Sequence, residues 1–320
     1  MNLWLLDLLA CPSCRKGALT LEPEQTEDGR ILTGLLRCQC ASTYTIVRGI
    51  CRMLPPADAG TFDRQTSDRF EYQWRTWGRG KVIFGKDIDQ ARECFRQFSH
   101  PRIRANYLEG KLALDAGCGH GRFAGLLAEH GARAVGLDLC EGVEIARERT
   151  AGMRDVSIVQ GDILHLPFRD EAFDYVWSNG VLHHTPDTRI AFQSLSRATK
   201  PGGFLDIWVY PRGGATWEIL HRCLRAVTTR LPAPFLHALC YIPVPLLSLV
   251  RTYSDTRWPK NTWRECAQVT YDWFSPRYQW HHTAEDVRRW YEEAGFEEIQ
   301  EVGVPTGLAG KKKTRGTPSS

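Results

Sequence analysis

No stretch of this 320-residue chain is both long and apolar enough to cross a bilayer. The longest apolar run, near Phe235 to Val250, falls short of the roughly 20 residues a span needs and is broken by Pro243 and Pro245. An excess of one charge is missing too. The 41 Lys and Arg against 37 Asp and Glu leave +4 at neutral pH, well short of what a dedicated nucleic-acid binder shows over its whole surface. The segment Met1-Asn2-Leu3-Trp4-Leu5-Leu6-Asp7-Leu8-Leu9-Ala10 has no basic leading part, carries Asp7 and runs straight into a Cys-Pro-x-Cys knuckle. It does not read as an export signal. Without one, the odd number of cysteines, 11, points to a reducing compartment in which thiols bind metal or pack, and the expected location is the cytoplasm. Internal repeats are absent as well.

What is present divides the chain. Residues 1–56 form a cysteine-rich unit of strand-like pieces, closed by the linker Pro55-Pro56-Ala57-Asp58-Ala59-Gly60. Residues 57–110, rich in aromatics and charge, are expected to be a mostly helical lead-in. From Lys111, short apolar strands alternate with helices: Leu112 to Asp115, Arg122 to His130, Ala134 to Asp138, Gly142 to Thr150, Ser157 to Gln160, Phe173 to Trp177, Thr188 to Thr199 and Phe204 to Val209. Such alternation implies right-handed crossovers and a mainly parallel sheet. It stops between 213 and 278, where Pro-punctuated helical sequence reads as a lid insertion. It resumes with the helix Thr283 to Ala294, which has Thr283 as N-cap and ends at Gly295. The expected core is therefore 111–212 plus 279–310, with 311–320 a disordered basic tail.

After the strand ending at Asp115, Gly117, Gly119 and Gly121 recur at every second position. Glycines so placed let the chain turn sharply and bring backbone amides and the next helix's N-terminus close to a ligand. A dinucleotide fingerprint would need a third glycine where Arg122 stands, so the spacing argues against NAD. Asp138 ends the next strand, where a carboxylate can accept two ribose hydroxyls. Asp162 ends the third, where it can accept from an exocyclic amine. A nucleoside with free ribose hydroxyls satisfies both, in the crevice where open α/β sheets bind ligands.

The stretch from about 111 to 210 resembles the class I S-adenosylmethionine-dependent methyltransferases of the small-molecule type (methyltransferase type 11-like). The matching segments are Leu114-Asp115-Ala116-Gly117-Cys118-Gly119-His120-Gly121-Arg122, Val135-Gly136-Leu137-Asp138, Gly161-Asp162 with Leu166-Pro167-Phe168, Phe173-Asp174-Tyr175-Val176, and Lys200-Pro201-Gly202-Gly203. The resemblance implies an α/β fold with a seven-stranded, mainly parallel, doubly wound sheet. It implies S-adenosylmethionine as cofactor, with the glycine loop against the methionine moiety, Asp138 on the ribose, and Asp162 with Ile163 on the adenine. The cofactor-contacting set expected on this basis is Asp115, Ala116, Gly117, Cys118, Gly119, Gly121, Asp138, Leu139, Gly161, Asp162, Ile163 and Asn179.

Methyl transfer from a sulfonium is an in-line displacement, needing alignment and, where the nucleophile carries a proton, a base. The loop after the fourth strand, Ser178 to Asp187, offers His183 and His184 as candidate bases, since imidazole titrates near neutrality; either ring could instead only hydrogen-bond the loop. Asp272 to His282 gathers aromatics, two histidines and Arg277, and either lines the acceptor pocket or anchors the insertion. Tyr72, Trp74 and Trp77 either close the pocket from the other side or form a buried helix face.

Cys11-Pro12-Ser13-Cys14 and Cys38-Gln39-Cys40 supply four thiols in two knuckles. A unit of about fifty residues has little core of its own, and a tetrahedral structural zinc on Cys11, Cys14, Cys38 and Cys40 would stabilise it. The unit resembles the zinc ribbon of the tRNA-methyltransferase activator type, except that its second knuckle is Cys-x-Cys and not Cys-x-x-Cys. Cys51 is a candidate substitute ligand; Cys118 and Cys140 are expected to pack beside the cofactor.

The expected partner is a small or medium-sized methyl acceptor beneath the lid, whose apolar sequence would also touch a membrane weakly and peripherally. RNA methylation is a second reading, resting on the basic tail and Arg222, Arg225 and Arg230. It is disfavoured by the scattered charge and by Ser178-Asn179-Gly180-Val181 where amine-directed enzymes carry an Asn-Pro-Pro-Tyr-type motif. A third reading, a non-catalytic partner-recruiting module, is disfavoured by the intact Asp115, Gly117, Gly119, Asp138 and Asp162. Oligomeric state is not legible.

Overall fold

The structure, a computed structural model, describes residues 1–16, 18–55, 64–84, 86–104, 106–242 and 263–314. Most of the Pro55-to-Gly60 linker, the apolar run from Pro243 to Val250 and the end of the basic tail lie outside the described residues. The chain begins with an antiparallel meander, β1 (Leu19–Glu27), β2 (Arg30–Cys38), β3 (Thr43–Val47) and β4 (Ile50–Arg52). Two helices follow, α1 (Arg64–Trp77) and α2 (Ile88–Phe98). α2 is opened by a capping box in which Asp87 and Gln90 exchange side-chain to backbone hydrogen bonds.

The alternating region then delivers β5 (Leu112–Ala116), α3 (Arg122–Glu129), β6 (Arg133–Asp138), α4 (Gly142–Arg149), β7 (Val156–Gln160), β8 (Phe173–Asn179), α5 (Thr188–Ala198) and β9 (Thr199–Trp208). These strands read as near-continuous apolar runs because helices cover both faces of a parallel sheet. Thus Ala113, Leu114, Val135, Leu137, Val159, Val176 and Leu205 are all sealed from solvent. Among the described residues, the insertion after β9 contains α6 (Ala215–Thr228), α7 (Ala233–Leu239) and α8 (Trp263–Phe274). α9 (Ala284–Glu293) and the hairpin β10 (Phe296–Glu301) and β11 (Gly307–Lys312) return to the sheet.

The strand order is β1-β2-β3-β4-β7-β6-β5-β8-β9-β11-β10, so the sheet has eleven strands and not the expected seven. The reason is one short parallel pairing. Cys51 and Arg52 of β4 align with Val159 and Gln160 of β7, and the amide of Met53 donates to the Gln160 carbonyl at 2.8 Å. The free edge of β7 is thereby paired, and the meander extends the sheet. Side chains follow suit: Leu5, Leu9, Leu36 and Ile46 belong to the same apolar core as Leu137, Phe168 and Phe173.

At the other end, Lys311 and Lys312 were expected in a disordered tail but lie within β11, opposite Glu297 and Phe296. The Lys312 ammonium donates to the carbonyls of Ser196 and Thr199, at 2.8 and 2.9 Å. A cation at the carbonyl-rich end of α5 is favourably placed, which explains why this basic residue ends a strand.

A shared core implies shared unfolding. Leu9→Ala, at a position with no solvent exposure, is expected to cost about 2–5 kcal/mol. Calorimetry should show it lowering one transition common to the meander and the parallel sheet; two transitions, only one of them shifted, would contradict the shared core.

Candidate active site

The loop after β5 owes its shape to its glycines. Gly117, Gly119 and Gly121 have φ of 85°, 50° and 79°, a region that L side chains rarely adopt. Space excludes side chains as well: a Cβ at Gly117 would run into Val181, at Gly119 into the Trp74 indole, and at Gly121 into Ala146. The turn is pinned to β6, because the amides of Gly117 and Cys118 both donate to the Leu137 carbonyl, at 2.8 and 2.9 Å. This brings the Gly119 amide onto Asp138 Oδ2 at 2.7 Å, while the Cys140 amide and thiol donate to Oδ1 at 3.1 and 3.0 Å. A carboxylate has about four lone-pair sites, two on each oxygen, so Oδ1 of Asp138 is filled by Cys140 and Oδ2 retains one accepting site.

Around this centre the other expected residues converge. The Gly161 amide donates to the Asp138 carbonyl, and the Leu139 carbonyl accepts from Gln160 Nε2. Asp162 Oδ1 accepts from the Leu164 amide and Oδ2 pairs with His165 Nδ1, both at 2.9 Å; that bond raises the His165 pKa. Ile163 is buried beside them. The Ala116 carbonyl accepts from Ser178 Oγ. Asn179 ends β8 with its Nδ2 buried and unpartnered. Asp115 is buried, its Oδ2 has no partner, and desolvation pushes its pKa up to about 8. Cys118 and Cys140 are buried thiols beside Asp138.

The lead-in aromatics go to two different places. Trp74 lies over the glycine loop, stacked on His120 at 5.0 Å between ring centroids. Tyr72 and Trp77 instead meet His237 and Tyr271 of the insertion.

His183 and His184 sit in a single helical turn after β8 (Leu182–His184), whose first neighbour Val181 touches Gly117. Both are buried, and burial lowers both pKa values, so both rings are neutral. Their partners fix different tautomers. His183 Nδ1 faces the Tyr210 amide at 3.3 Å and must accept, which leaves the proton on Nε2. His184 Nδ1 faces the Tyr278 carbonyl at 3.0 Å and must donate, which leaves a lone pair on Nε2. Neither Nε2 has a partner.

The segment 272–282 is where the insertion meets these rings. The Trp280 amide donates to the His183 carbonyl and the His282 amide to the Tyr210 carbonyl, while Asp272 accepts from the Tyr210 hydroxyl at 2.8 Å. Tyr210 stacks between His183 and Trp273, at 3.8 and 4.7 Å. The segment therefore both anchors the insertion and reaches the histidines. Sequence reasoning missed Tyr210; its only signal was its place just beyond the carboxyl end of β9.

The four expected thiols come together. The sulfur atoms of Cys11, Cys14, Cys38 and Cys40 all lie within 4.8 Å of one another, with Cys11–Cys40 at 3.7 Å and Cys14–Cys38 at 3.5 Å. Four thiolates at about 2.3 Å around a tetrahedral zinc stand roughly 3.8 Å apart, so the set fits that ion. The shortened Cys-x-Cys knuckle closes because the residue after each second cysteine, Arg15 or Ala41, is left-handed, with φ of 56° and 69°. Cys51 is not part of the cluster: it is buried in β4, with its thiol 3.1 Å from the Met1 sulfur. The first knuckle also braces the loop after β7. Arg15 donates to the Leu166 carbonyl and pairs with Asp170, and the Ala10 amide donates to the Pro167 carbonyl.

Residues 114–207 match the model of the family described as "Methyltransferase domain". The demethylmenaquinone methyltransferase of Staphylococcus aureus strain MRSA252 is 37% identical over 101 residues, which is 30% of this chain and 42% of that protein. The alignment thus spans less than half the length of that relative. The structure of magnesium protoporphyrin IX methyltransferase from Synechocystis PCC 6803, with bound SAH, is 17% identical over 77% of this chain and 98% of that one, with a TM-score of 0.46. Phosphoethanolamine N-methyltransferase 2 of Haemonchus contortus is 18% identical over 72% and 42% of the two chains, with a TM-score of 0.43. At TM-scores this low the solved structures carry no argument, and the likeness to the methyltransferase family rests on the match over 114–207.

Asp115 provides a pH test. Its folded pKa of about 8 lies above its ordinary 3.8, so the stability it contributes is present at low pH and lost as pH rises through about 8. Thermal melts of the ligand-free protein should show that decline, and Asp115→Asn should flatten it; an unchanged slope would place the titration elsewhere.

Proposed function

We propose that this chain transfers the methyl group of S-adenosylmethionine to a small or medium-sized metabolite whose nucleophilic atom carries a proton. The observation that carries the reading is the conjunction of a side-chain-free glycine loop with the three strand-end carboxylates Asp115, Asp138 and Asp162. When bound, the cofactor supplies an electrophilic methyl on a sulfonium. Asp138, through the accepting site left on Oδ2, would hold the ribose, and Asp162 with Ile163 the adenine. The unpartnered carboxylate of Asp115 suits the cationic end of the ligand, whose charge offsets the desolvation that keeps it protonated.

His184 is the residue to which we assign proton removal. Its Nε2 is neutral, holds a lone pair and has no competing donor, and Phe70 closes its edge at 5.2 Å. His183, holding its proton on Nε2, would donate a hydrogen bond to the acceptor and orient it. The four-thiol cluster would hold a structural zinc that braces the loop carrying Asp162; all four positions are thiolate candidates, so no open coordination site is offered for chemistry.

Calorimetric titration with S-adenosylmethionine and S-adenosylhomocysteine tests the cofactor site. Saturable binding that Asp138→Ala greatly weakens supports it, and no binding of either ligand would sink the reading. With an acceptor in hand, His184→Gln should lower kcat by roughly 10²–10⁴-fold and leave cofactor affinity unchanged. An unaltered kcat would return His184 to a purely structural role.

For the metal, elemental analysis should find one zinc per chain, and Cys11→Ser or Cys38→Ser should release it. Because the knuckle touches the loop after β7, zinc loss should also weaken cofactor binding; metal-free protein with undiminished affinity would uncouple the two.

A further inference from the structure

Helix α6 is built inside out. Its buried residues are His221 and Arg225, and the half-buried Glu218 bonds to His281 Nδ1 at 2.8 Å. At 100° per residue, the opposite face carries Ile219, Leu220, Cys223, Leu224, Ala226 and Val227, all apolar and exposed, together with Thr216, while Trp217 lies towards the inner side, stacked on His221 at 5.6 Å. The four large ones leave 65%, 51%, 44% and 62% of their surface in solvent for Ile219, Leu220, Leu224 and Val227, and Trp217 at the flank leaves 40%. Isolated exposed apolar residues are ordinary, but a continuous face is not. The inner face is polar because it has work of another kind: Arg225 donates to the carbonyls of Trp273, Pro276 and Arg277 and to Gln279, fixing the segment whose Tyr278 carbonyl holds His184.

We propose that the outward face of α6 seats on an anionic lipid bilayer, lying in the interface. Charge selects this occupant. The exposed charges on and beside the helix are Arg212, Arg222 and Arg230, and its single acid, Glu218, is engaged by His281 and by the Gly213 amide. An apolar face rimmed by cations, with Trp217 near one end, is the pattern of interfacial helices drawn to negative headgroups. Crossing is not involved, since among the described residues no helix is long and apolar enough to span a membrane. The seat stands independently of methyl transfer.

Co-sedimentation with phosphatidylcholine vesicles, with and without phosphatidylglycerol, tests it on the full chain. The protein should bind the anionic vesicles, each arginine at the surface adding about fivefold, and raised salt should release it. The double variant Leu220→Asp/Leu224→Asp, at exposed positions, should keep its melting temperature and lose binding by roughly tenfold or more. Absence of vesicle binding would overturn the proposal, as would binding that the variant leaves unchanged. A dimer in sedimentation velocity that the variant dissociates, without vesicle binding, would assign the face to a second copy instead. Cofactor titration of the same samples keeps a failure of the methyltransferase reading separate from a failure of this one.

Discussion

The molecule's central region depends on a single carbonyl oxygen. Leu137, at the penultimate position of β6, accepts the amides of both Gly117 and Cys118, and no loop with side chains at 117, 119 and 121 could make that approach. Once the turn is fixed, the Gly119 amide meets Asp138 and α3 starts at Arg122, directly after Gly121. The carboxylates of Asp115, Asp138 and Asp162 follow at or just beyond the ends of β5, β6 and β7. Burial is what makes the arrangement chemically pointed: Asp115 loses hydration without gaining a partner at Oδ2, so it is primed for a cation.

Two additions bear on the turn and on the loops around it. The cysteine knuckles grip the loop after β7 through Arg15, Ala10 and the Leu8 carbonyl, which accepts from Arg169. From the other direction α1 lays Trp74 on the glycine loop, and the insertion holds Tyr278 against His184. The meander is thereby tied to the loop after β7 and the helical insertion to the histidine turn after β8, each by hydrogen bonds to backbone, which tolerate little displacement.

The histidine pair illustrates how neighbours assign chemistry to identical side chains. His183 and His184 are adjacent, both buried and both neutral, yet an amide facing one and a carbonyl facing the other place their protons on opposite nitrogens. The amide comes from Tyr210 beyond β9 and the carbonyl from Tyr278 in the returning segment, 27 and 94 residues away respectively. Tyr210 in turn is held by Asp272 and sandwiched by His183 and Trp273, so the difference between the two rings is built from three separate parts of the chain.

Local patterns in the sequence determined the parallel strands, the glycine turn, the strand-end carboxylates and the four thiols, because each rests on short-range rules: alternation of apolar runs, positive φ at glycine, and ligand spacing. The cap of α9 was legible for the same reason, Thr283 and Asp286 being three residues apart. Tertiary structure alone decided that β4 pairs with β7 and makes eleven strands of an expected seven, since the choice of a strand's neighbour depends on edges remote in sequence. It also placed Lys312 in a strand, removed Cys51 from the thiol cluster, divided Trp74 from Tyr72 and Trp77, and turned α6 outward. Each of these depends on what lies across a packed interface, and composition and periodicity carry no record of that.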